Sequence, residues 1–495
     1  MGIIEVAREV NSFYYLLLIA LPLLYLILKS PKNLPPGPYP WPVIGNIFSM
    51  GKKPHISLGE LAKSYGPLLS LRLGTQLLVV AQTDDAAKEI LKTHDKVFSA
   101  RYVPHGNPLY PDRLDLSIAW TDCNDQWRYL RTLVKTELFS PKMIEGQAKI
   151  RELKVSEMVE FLRTKEGEMV NIGKLVFNVV FNMLSTIYMS KDFLAVYEEN
   201  DDEGWKGVIR KIVEISSTPN LADLYTVFKP FDLQGIRKKG KEMFSLITEV
   251  WEDTVKERME NKSSDVLRQR DFLDELLERG FTKEQMDYLF QDFLFGGTDT
   301  TNSTVEWAMA ELLKCRDAMK NVCAELDREI EGTSVKESDL PSLPYLHYVV
   351  KETLRLHPPA PFLLPRRASK TCKVMNYTIP KGTQIFVNVF AIARDPKTWE
   401  DPLTFKPERF LGTSMEVNSN DFTYIPFGSG RRICPGIAMA NKQVPLVLAS
   451  LLKAFEWSLP NNMQPADLDM EEKFGVTLQK QKSLIIIPKS KSYRA

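Results

Sequence analysis

A single cysteine near the end of the chain stands among glycines and arginines, in the segment PFGSGRRICPG at residues 426–436. A cysteine binds a metal as its thiolate, which positive charge and backbone N–H donors stabilise. An isolated cysteine is usually an inert, small apolar side chain. Here the spacing F-x-x-G-x-R-x-C-x-G favours a ligand, because glycine lets backbone donors approach the sulfur and arginine suits a carboxylate. The positions of this pattern are Phe427, Gly430, Arg432, Cys434 and Gly436.

An acid and an alcohol stand side by side, as Asp299 and Thr300, in the segment FGGTDTTNSTV that begins at Phe295. Glycines, and hydroxyls that bond back to carbonyls, weaken or widen a helix locally. One interpretation is that a helix starts here, capped by Thr298 or Asp299. The other is that a long helix runs through the segment and uses the acid and the alcohol to transfer protons. Both interpretations stay open at this point.

Two further pairs have the spacing of neighbours on one helix face. Glu352 and Arg355 are three residues apart in KETLRLHPP, and Trp127 and Arg131 are four apart in WRYLR. Taken alone, the first is typical of an exposed ion pair, which contributes under about 1 kcal/mol. The second is typical of a core tryptophan beside a solvated arginine. Arg409, in the later segment FKPERF, is available as a third member for the first pair.

These patterns occur in one order along the chain: W-x-x-x-R, G-G-x-D-T, E-x-x-R followed by P-E-R-F, and the cysteine segment. In that order the chain resembles the cytochrome P450 family, the haem-thiolate monooxygenases. The resemblance implies a mainly α fold with a minor β portion, haem b with Cys434 as its axial thiolate, and dioxygen as co-substrate. It also implies electrons from NADPH, delivered by NADPH–cytochrome P450 reductase.

The resemblance assigns a role to each motif residue. Asp299 and Thr300 become the catalytic pair that delivers protons for O–O cleavage, and Cys434 becomes the metal ligand. A buried Glu–Arg–Arg set fixes the fold around the cysteine segment; its members are Glu352, Arg355 and Arg409. The residues expected to hold the haem, through its propionates or beside the ligand, are Trp127, Arg131, Arg366, Arg432, Phe427, Gly430 and Gly436.

Composition excludes several other classes of protein. The 495 residues contain 64 basic and 63 acidic side chains, without the excess of positive charge that nucleic-acid binding needs. Five scattered cysteines indicate a reducing compartment rather than a disulfide framework. Residues 67–82 alternate in polarity and predict a β-hairpin that turns near Gly74.

The N-terminal region predicts a membrane anchor. Residues 13–28 form an apolar run, and Lys29, Lys32 and a proline-rich stretch follow it. A secretory signal is the alternative, but no small-residue cleavage site follows the run. We therefore expect a single-pass anchor at residues 1–30, a hinge at 31–50 and a catalytic domain at 51–495. By the positive-inside rule that domain faces the cytosol, on the endoplasmic reticulum membrane.

Within the family, the chain resembles the plant microsomal enzymes that oxidise alkaloids. Overall similarity favours littorine mutase of the tropane pathway, which rearranges littorine to hyoscyamine aldehyde. The alternatives are a benzylisoquinoline hydroxylase or phenol-coupling enzyme, such as N-methylcoclaurine 3'-hydroxylase, and a terpenoid or phenylpropanoid hydroxylase. A non-catalytic membrane haem protein is an alternative of another class, and it would need neither Asp299 nor Thr300.

The resemblance also places a substrate pocket along residues 102–120, 215–228, 292–300, 360–364 and 474–476. Alkaloid substrates of this kind carry a protonated amine. Asp292 lies two helical turns before Asp299, and we predict it as the partner of that cation. The other expected pocket residues are Phe295, Gly296, Phe362, Leu363 and Phe474.

Overall fold

Helices make up most of the part of the chain that the structure describes, and one five-stranded and three smaller sheets accompany them there, which confirms the predicted fold class. The computed structural model describes residues 33–107, 114–194, 215, 218–260, 270–417 and 421–491. The predicted anchor at residues 1–30 lies outside the described residues.

The α-helices are numbered here along the described part of the chain. Their bounds are α1 Pro54–Tyr65, α2 Asp84–Lys88, α3 Asp95–Phe98, α4 Asp125–Glu137, α5 Pro141–Gly146, α6 Ala148–Thr164, α7 Ile172–Met189, α8 Leu221–Leu224, α9 Ile236–Glu260, α10 Phe272–Glu278, α11 Lys283–Lys314, α12 Arg316–Glu329, α13 Pro344–Leu356, α14 Val389–Ile392 and α15 Ile437–Ala454. A π-helical turn, Glu89–Thr93, follows α2.

The strands form one larger sheet and three small ones. Their bounds are β1 Leu68–Leu73, β2 Gln76–Ala81, β3 Ala100–Arg101, β4 Val170–Asn171, β5 Arg366–Arg367, β6 Cys372–Val374, β7 Tyr377–Ile379, β8 Gln384–Val387, β9 Phe455–Ser458, β10 Glu472–Lys473, β11 Gln479–Lys480 and β12 Ile485–Ser490. The larger sheet has the order β1-β2-β8-β5-β3, and the predicted hairpin forms its β1–β2 edge. Strands β4, β12 and β9 form a second sheet, while β6–β7 and β10–β11 are separate pairs.

Two helices form the centre of the core. Helix α7 is apolar around nearly its whole circumference and is buried against α11. Within the described ranges, α7 is the one helix long and apolar enough to cross a membrane, yet 89% of it is buried inside the protein. A methyl group added at Gly297 of α11 would lie 2.6 Å from the Leu184 side chain of α7. Glycine therefore allows the two helices to approach closely at this level.

Helix α11 runs without interruption through the GGTDTT segment. It begins at a capping box formed by Thr282 and Gln285, and it continues to Lys314. The Thr300 hydroxyl donates to the carbonyl of Gly296 at 2.7 Å, so it is accommodated inside the helix. The interpretation that a helix starts at Thr298 or Asp299 is therefore wrong, because the start lies sixteen or more residues earlier in a better cap.

Candidate active site

Cys434 lies just before the N-terminus of α15, whose N-cap residue is Gly436. The Cys434 N–H donates to the Phe427 carbonyl at 3.1 Å, which closes the loop around the sulfur. Burial raises the pKa of the Cys434 thiol, while the Gly436 N–H and the charge of Arg131 act in the opposite direction. A buried thiol of this kind becomes a thiolate when a cation binds it. The site therefore suits a metal ion at the sulfur.

Gly430 and Gly436 have different roles in this loop. Gly430 has φ +71°, and a Cβ atom there would lie 2.0 Å from the Leu91 carbonyl oxygen in the π-helical turn. No residue with a side chain fits at this position without moving that backbone. The sequence motif predicted that both glycines lie near the sulfur. In the structure only the Gly436 N–H approaches the sulfur, whereas Gly430 packs against the π-helical turn.

A cluster of arginines surrounds Trp127 near the cysteine loop. Arg101, Arg366 and Arg432 are buried, and the Arg432 guanidinium lies 4.7 Å from the centre of the Trp127 ring. Burial and, to a smaller extent, repulsion from Arg432 together lower the pKa of Arg366 to about 10. Burial also lowers the pKa of Arg131, which stands 6.0 Å from the same ring. Three buried guanidinium groups and the half-buried one of Arg131 therefore share one site.

Neutral carbonyls are the main acceptors for this cluster. The Ile118 carbonyl accepts from both Trp127 Nε1, at 3.1 Å, and Arg432 Nη1, at 3.2 Å. Arg101 Nε donates to Ala119 at 2.8 Å. The Nε of Arg366 is buried and has no hydrogen-bond partner among the described residues.

Carbonyl dipoles do not neutralise guanidinium charges, and buried charges need ionic partners. Haem carries two propionate carboxylates beside its iron, so the cluster and Cys434 together fit that cofactor. Arg131 and Trp127 currently bond to the carbonyls of Ile433 and Ile118 respectively.

One face of α11 is accessible at Gly296 and Thr300, although most of the helix is buried. Nothing lies within 4 Å of a Cβ atom added at Gly296. Gly296 is exposed and Thr300 is half-buried, whereas the residues that follow, 301–313, are all buried. The face that carries Gly296 and Thr300 therefore borders an open space, as the predicted pocket requires.

Asp299 is buried beside that face and is held by the β10–β11 hairpin. Gln479 Nε2 donates to Asp299 Oδ1 at 2.6 Å. Burial raises the pKa of Asp299, and the Thr477 hydroxyl and Gln479 amide lower it in part. The second oxygen, Oδ2, has no hydrogen bond of good geometry within the part of the chain that the structure describes. Asp299 is thus a buried acid with one held oxygen and one available oxygen.

Asp292 makes contacts that differ from its predicted role. Its carboxylate accepts hydrogen bonds from the Ser117 hydroxyl, at 2.7 and 3.0 Å, and from the N–H groups of Ile118, at 2.7 Å, and Ala119, at 3.2 Å. Burial raises the pKa of Asp292 to about 6. These donors occupy both oxygens, so the contacts favour a tether between α11 and the 117–119 loop over a partner for a substrate ammonium.

The predicted Glu–Arg–Arg set is brought together in the structure. Arg355 forms a bidentate pair with Glu352, with distances of 2.7 and 2.8 Å, and Arg409 Nε lies 2.9 Å from the same carboxylate. Glu352 and Arg355 are fully buried. The two arginines also donate to carbonyls between residues 393 and 404. The set therefore ties α13 to the segment that leads toward the cysteine loop.

Aromatic side chains from distant segments meet beside the larger sheet. The rings of Phe362 and Phe474 are edge to face, with centres 5.9 Å apart, and Phe474 stacks on His55 at 5.4 Å. Leu363 has φ +56°, a strained conformation for leucine that recurs at ligand sites. Phe295 packs in part against the main core. Phe362 and Phe474 are thus in contact within a small apolar cluster, in which Phe362 is buried and also stacks on Phe386 at 4.9 Å.

Two residues of the site escaped the sequence analysis. Arg101 belongs to the buried arginine cluster, but FSAR carries no periodic signal that would mark it. Gln479 binds Asp299 across 180 positions of sequence. Only the three-dimensional fold brings such residues to the site.

Comparisons with known proteins agree with this geometry. The family model for cytochrome P450 matches residues 35–487. A probable (S)-N-methylcoclaurine 3'-hydroxylase isozyme 2 from Coptis japonica is 47% identical, over 97% of this chain and 98% of the relative. Corytuberine synthase from the same plant is 44% identical, over 96% and 98% of the two chains. Geraniol 8-hydroxylase from Catharanthus roseus is 40% identical, over 93% and 94%.

Proposed function

Since this chain belongs to the cytochrome P450 family, we propose that it oxidises a benzylisoquinoline-type alkaloid. The family establishes a haem-thiolate monooxygenase that receives electrons from NADPH through a reductase and acts on a small molecule. The reaction in its hydroxylating form is R–H + O2 + NADPH + H⁺ → R–OH + H2O + NADP⁺. The observation that carries the proposal is 44–47% identity to alkaloid-oxidising relatives over nearly the whole chain.

The residues of the site have separable tasks in this proposal. When bound, haem supplies the redox chemistry that activates dioxygen. Cys434 would hold the iron through its thiolate, and the buried arginines would bind the propionate carboxylates and so orient the macrocycle. Asp299 holds a proton close to the open face of α11. The Thr300 hydroxyl donates to Gly296, which leaves its oxygen free to accept a hydrogen bond from the proton donor.

The pocket residues suit a flat, aromatic substrate. Phe362 and Phe474 offer ring faces and edges, which pack well against other rings. Gly296 leaves room on the helix for a bulky group. An ammonium partner is not assigned to Asp292, because loop donors already occupy its carboxylate.

A terpenoid substrate is the second candidate, since geraniol 8-hydroxylase relatives are 40–41% identical to this chain. The predicted tropane activity, rearrangement of littorine, receives no support from the relatives described above. Littorine therefore enters the experiment as a comparison substrate rather than as the proposed one.

The test is turnover by microsomes that contain the full chain and a plant reductase. We expect NADPH-dependent conversion of (S)-N-methylcoclaurine to a hydroxylated or coupled product, whose structure mass spectrometry and NMR determine. Cys434→Ser is the inactive control. Turnover of geraniol or littorine, with N-methylcoclaurine unchanged, would contradict the alkaloid assignment.

We also propose the predicted topology: an anchor at residues 1–30, a hinge at 31–50 and a catalytic domain at 51–495 that faces the cytosol on the endoplasmic reticulum. Its support is an exposed apolar surface at the start of the described chain, formed by Tyr39, Trp41 and Val43. Asn376, in the glycosylation sequence N-Y-T, is exposed. A cytosolic domain should leave it unglycosylated, which glycosidase treatment of microsomal protein checks.

A further inference from the structure

Among the hydrogen bonds that join the β10–β11 hairpin to α11 in the described ranges, two can be tested separately. Gln479 Nε2 donates to Asp299 Oδ1 at 2.6 Å. One helical turn further along, the Ser303 hydroxyl donates to the Leu478 carbonyl at 2.7 Å. Both bonds join the same two elements, but only the first touches the acid.

The surroundings of Asp299 are neutral. Burial raises the pKa of Asp299, and the Thr477 hydroxyl and the Gln479 amide lower it in part. No cation of the described residues is among the groups that shift this pKa. A lysine or arginine at that distance would hold the carboxylate ionised. A neutral amide instead fixes its orientation and leaves both protonation states accessible.

The chemistry of the amide decides which oxygen carries the proton. Nε2 of glutamine donates and cannot accept a hydrogen bond. Protonation of Asp299 at Oδ1 would therefore weaken the bond to Gln479, whereas protonation at Oδ2 preserves it. Oδ2 is buried and has no hydrogen bond of good geometry in the described ranges. The Thr477 hydroxyl that acts on this carboxyl can accept as well as donate, so Oδ2 can carry the proton.

We propose that Gln479 is a positioning residue that holds Asp299 by Oδ1 and directs its transferable proton to Oδ2. The proposal rests on the proposed function, in which Asp299 supplies protons. It adds a residue outside the α11 motif, on an element that also carries the pocket residue Phe474.

The hairpin does not depend on Gln479 for its place in the fold. Glu472, on the partner strand, lies 3.0 Å from His55 Nε2 and 3.4 Å from His357 Nδ1. The Leu478 N–H donates to the Pro359 carbonyl at 2.8 Å. Gln479→Leu should therefore fold, which thermal unfolding and the carbon monoxide difference spectrum verify.

The decisive measurement is an infrared pH titration of the detergent-purified, full-length protein. The carbonyl stretch of protonated Asp299 is assigned by its absence in Asp299→Asn. Loss of the donor in Gln479→Leu should raise the titration midpoint by about one pH unit. Gln479→Lys keeps a donor but adds a charge, and it should lower the midpoint. Ser303→Ala, the matched control, should leave the midpoint unchanged.

The functional consequence is measured in the same preparations as hydrogen peroxide released per NADPH consumed. Dioxygen that has taken the two electrons of NADPH leaves as hydrogen peroxide when the O–O bond is not cleaved, in the reaction O2 + NADPH + H⁺ → H2O2 + NADP⁺. Slower proton delivery by Asp299 favours this outcome, so Gln479→Leu should raise the ratio about fivefold. A midpoint equal to that of the wild type in Gln479→Leu, or an equal shift in Ser303→Ala, would overturn the positioning role. If Asp299→Asn keeps the wild-type peroxide ratio, the proton-donor part of the proposed function fails, while the infrared midpoint still decides the role of Gln479.

Discussion

At the scale of single residues, the buried arginines are the most informative part of the site. A folded protein rarely buries several guanidinium groups without direct ion pairs, because each buried charge costs several kcal/mol unless it is paired. Asp95 and Asp122 attract Arg366 and Arg432, but among the described residues they form no ion pair with them. Here carbonyls of the 118–121 segment satisfy hydrogen bonds but not charge. The cluster thus indicates an anionic ligand independently of the cysteine motif.

Arg366 offers a direct test of this argument. Its Nε lacks a partner, and its neighbour Arg367 is half-buried and pairs with Asp122 at 2.9 Å. Arg366→Leu should release haem to an acceptor protein about tenfold faster, since a hydrogen bond to a charged group contributes about 1.5–3 kcal/mol. The decay of the Soret absorbance measures this rate.

Arg367→Leu is the matched control from the same strand, and it should retain haem at the rate of the unmodified chain. Equal loss from the two variants would show that general destabilisation is responsible rather than a lost propionate partner.

Residue-level prediction from the sequence was effective where chemistry follows local spacing. Glu352 and Arg355 are helical neighbours, and their pairing is visible in E-x-x-R. Arg101 and Gln479 have no such signal, because their partners come from other segments. Their roles depend on how strands β3 and β11 are placed, which the local pattern does not encode.

At the scale of elements, α11 shows how packing overrides local signals. Thr298 and Asp299 are both good helix caps, so the sequence left a helix start at this point open. In the fold, the capping box at Thr282 starts the helix, and the close contact between Gly297 and α7 keeps it continuous. The helix does not start at Thr298 or Asp299, because burying a long helix stabilises the fold far more than one cap, which contributes about 1 kcal/mol.

Asp292 joins α11 to the 117–119 loop, and its burial predicts a pH dependence of stability. The pKa of Asp292 in the folded state is about 6, above its ordinary value near 3.8. A raised pKa means that its contribution to stability is present below about pH 4 and is lost as the pH rises through 6. The stability advantage of the wild type over Asp292→Asn should therefore shrink between pH 4 and pH 7.

Thermal unfolding of both purified proteins across this range measures that difference. Asp287→Asn is a useful comparison, since burial also raises the pKa of Asp287 but its partners are Trp251 and Lys283 rather than the loop. A difference between wild type and Asp292→Asn that is constant with pH would contradict the assignment.

The Glu352 set joins α13 to the segment before the cysteine loop, and it predicts a large loss of stability. Glu352→Gln leaves the buried Arg355 and Arg409 without their shared counter-charge. Removing one partner of a buried ion pair costs about 3–5 kcal/mol. We expect reduced yield and a lower unfolding midpoint, measured by circular dichroism. Glu337→Gln, at another buried pair, the one with Arg151, should be similarly costly but should not affect haem retention in the protein that folds.

At the scale of the whole molecule, an exposed apolar segment at the start of the described chain touches a second one from the middle of the sequence. Trp41 and Val43 belong to the hinge, and Val227 and Phe231 belong to the segment after α8. The two segments touch, because the Tyr225 hydroxyl donates to the Val43 carbonyl at 3.2 Å. A contiguous apolar surface that includes aromatic rings suits the interface of a bilayer. The apolar run at residues 13–28 precedes Trp41 and Val43 in the sequence.

This surface predicts membrane binding that does not depend on the anchor. A chain that lacks residues 1–30 should still co-sediment with phosphatidylcholine vesicles, because the apolar side chains of the surface remain. Trp41→Ser combined with Phe231→Ser should reduce the bound fraction about tenfold or more, since burying each large apolar side chain contributes about 1.5–3 kcal/mol. The matched control is Leu403→Ser with Leu411→Ser, which removes two leucines of similar exposure, 76% and 69%, from another part of the chain. If both pairs of substitutions lower vesicle binding equally, general surface hydrophobicity rather than this surface holds the protein on the membrane.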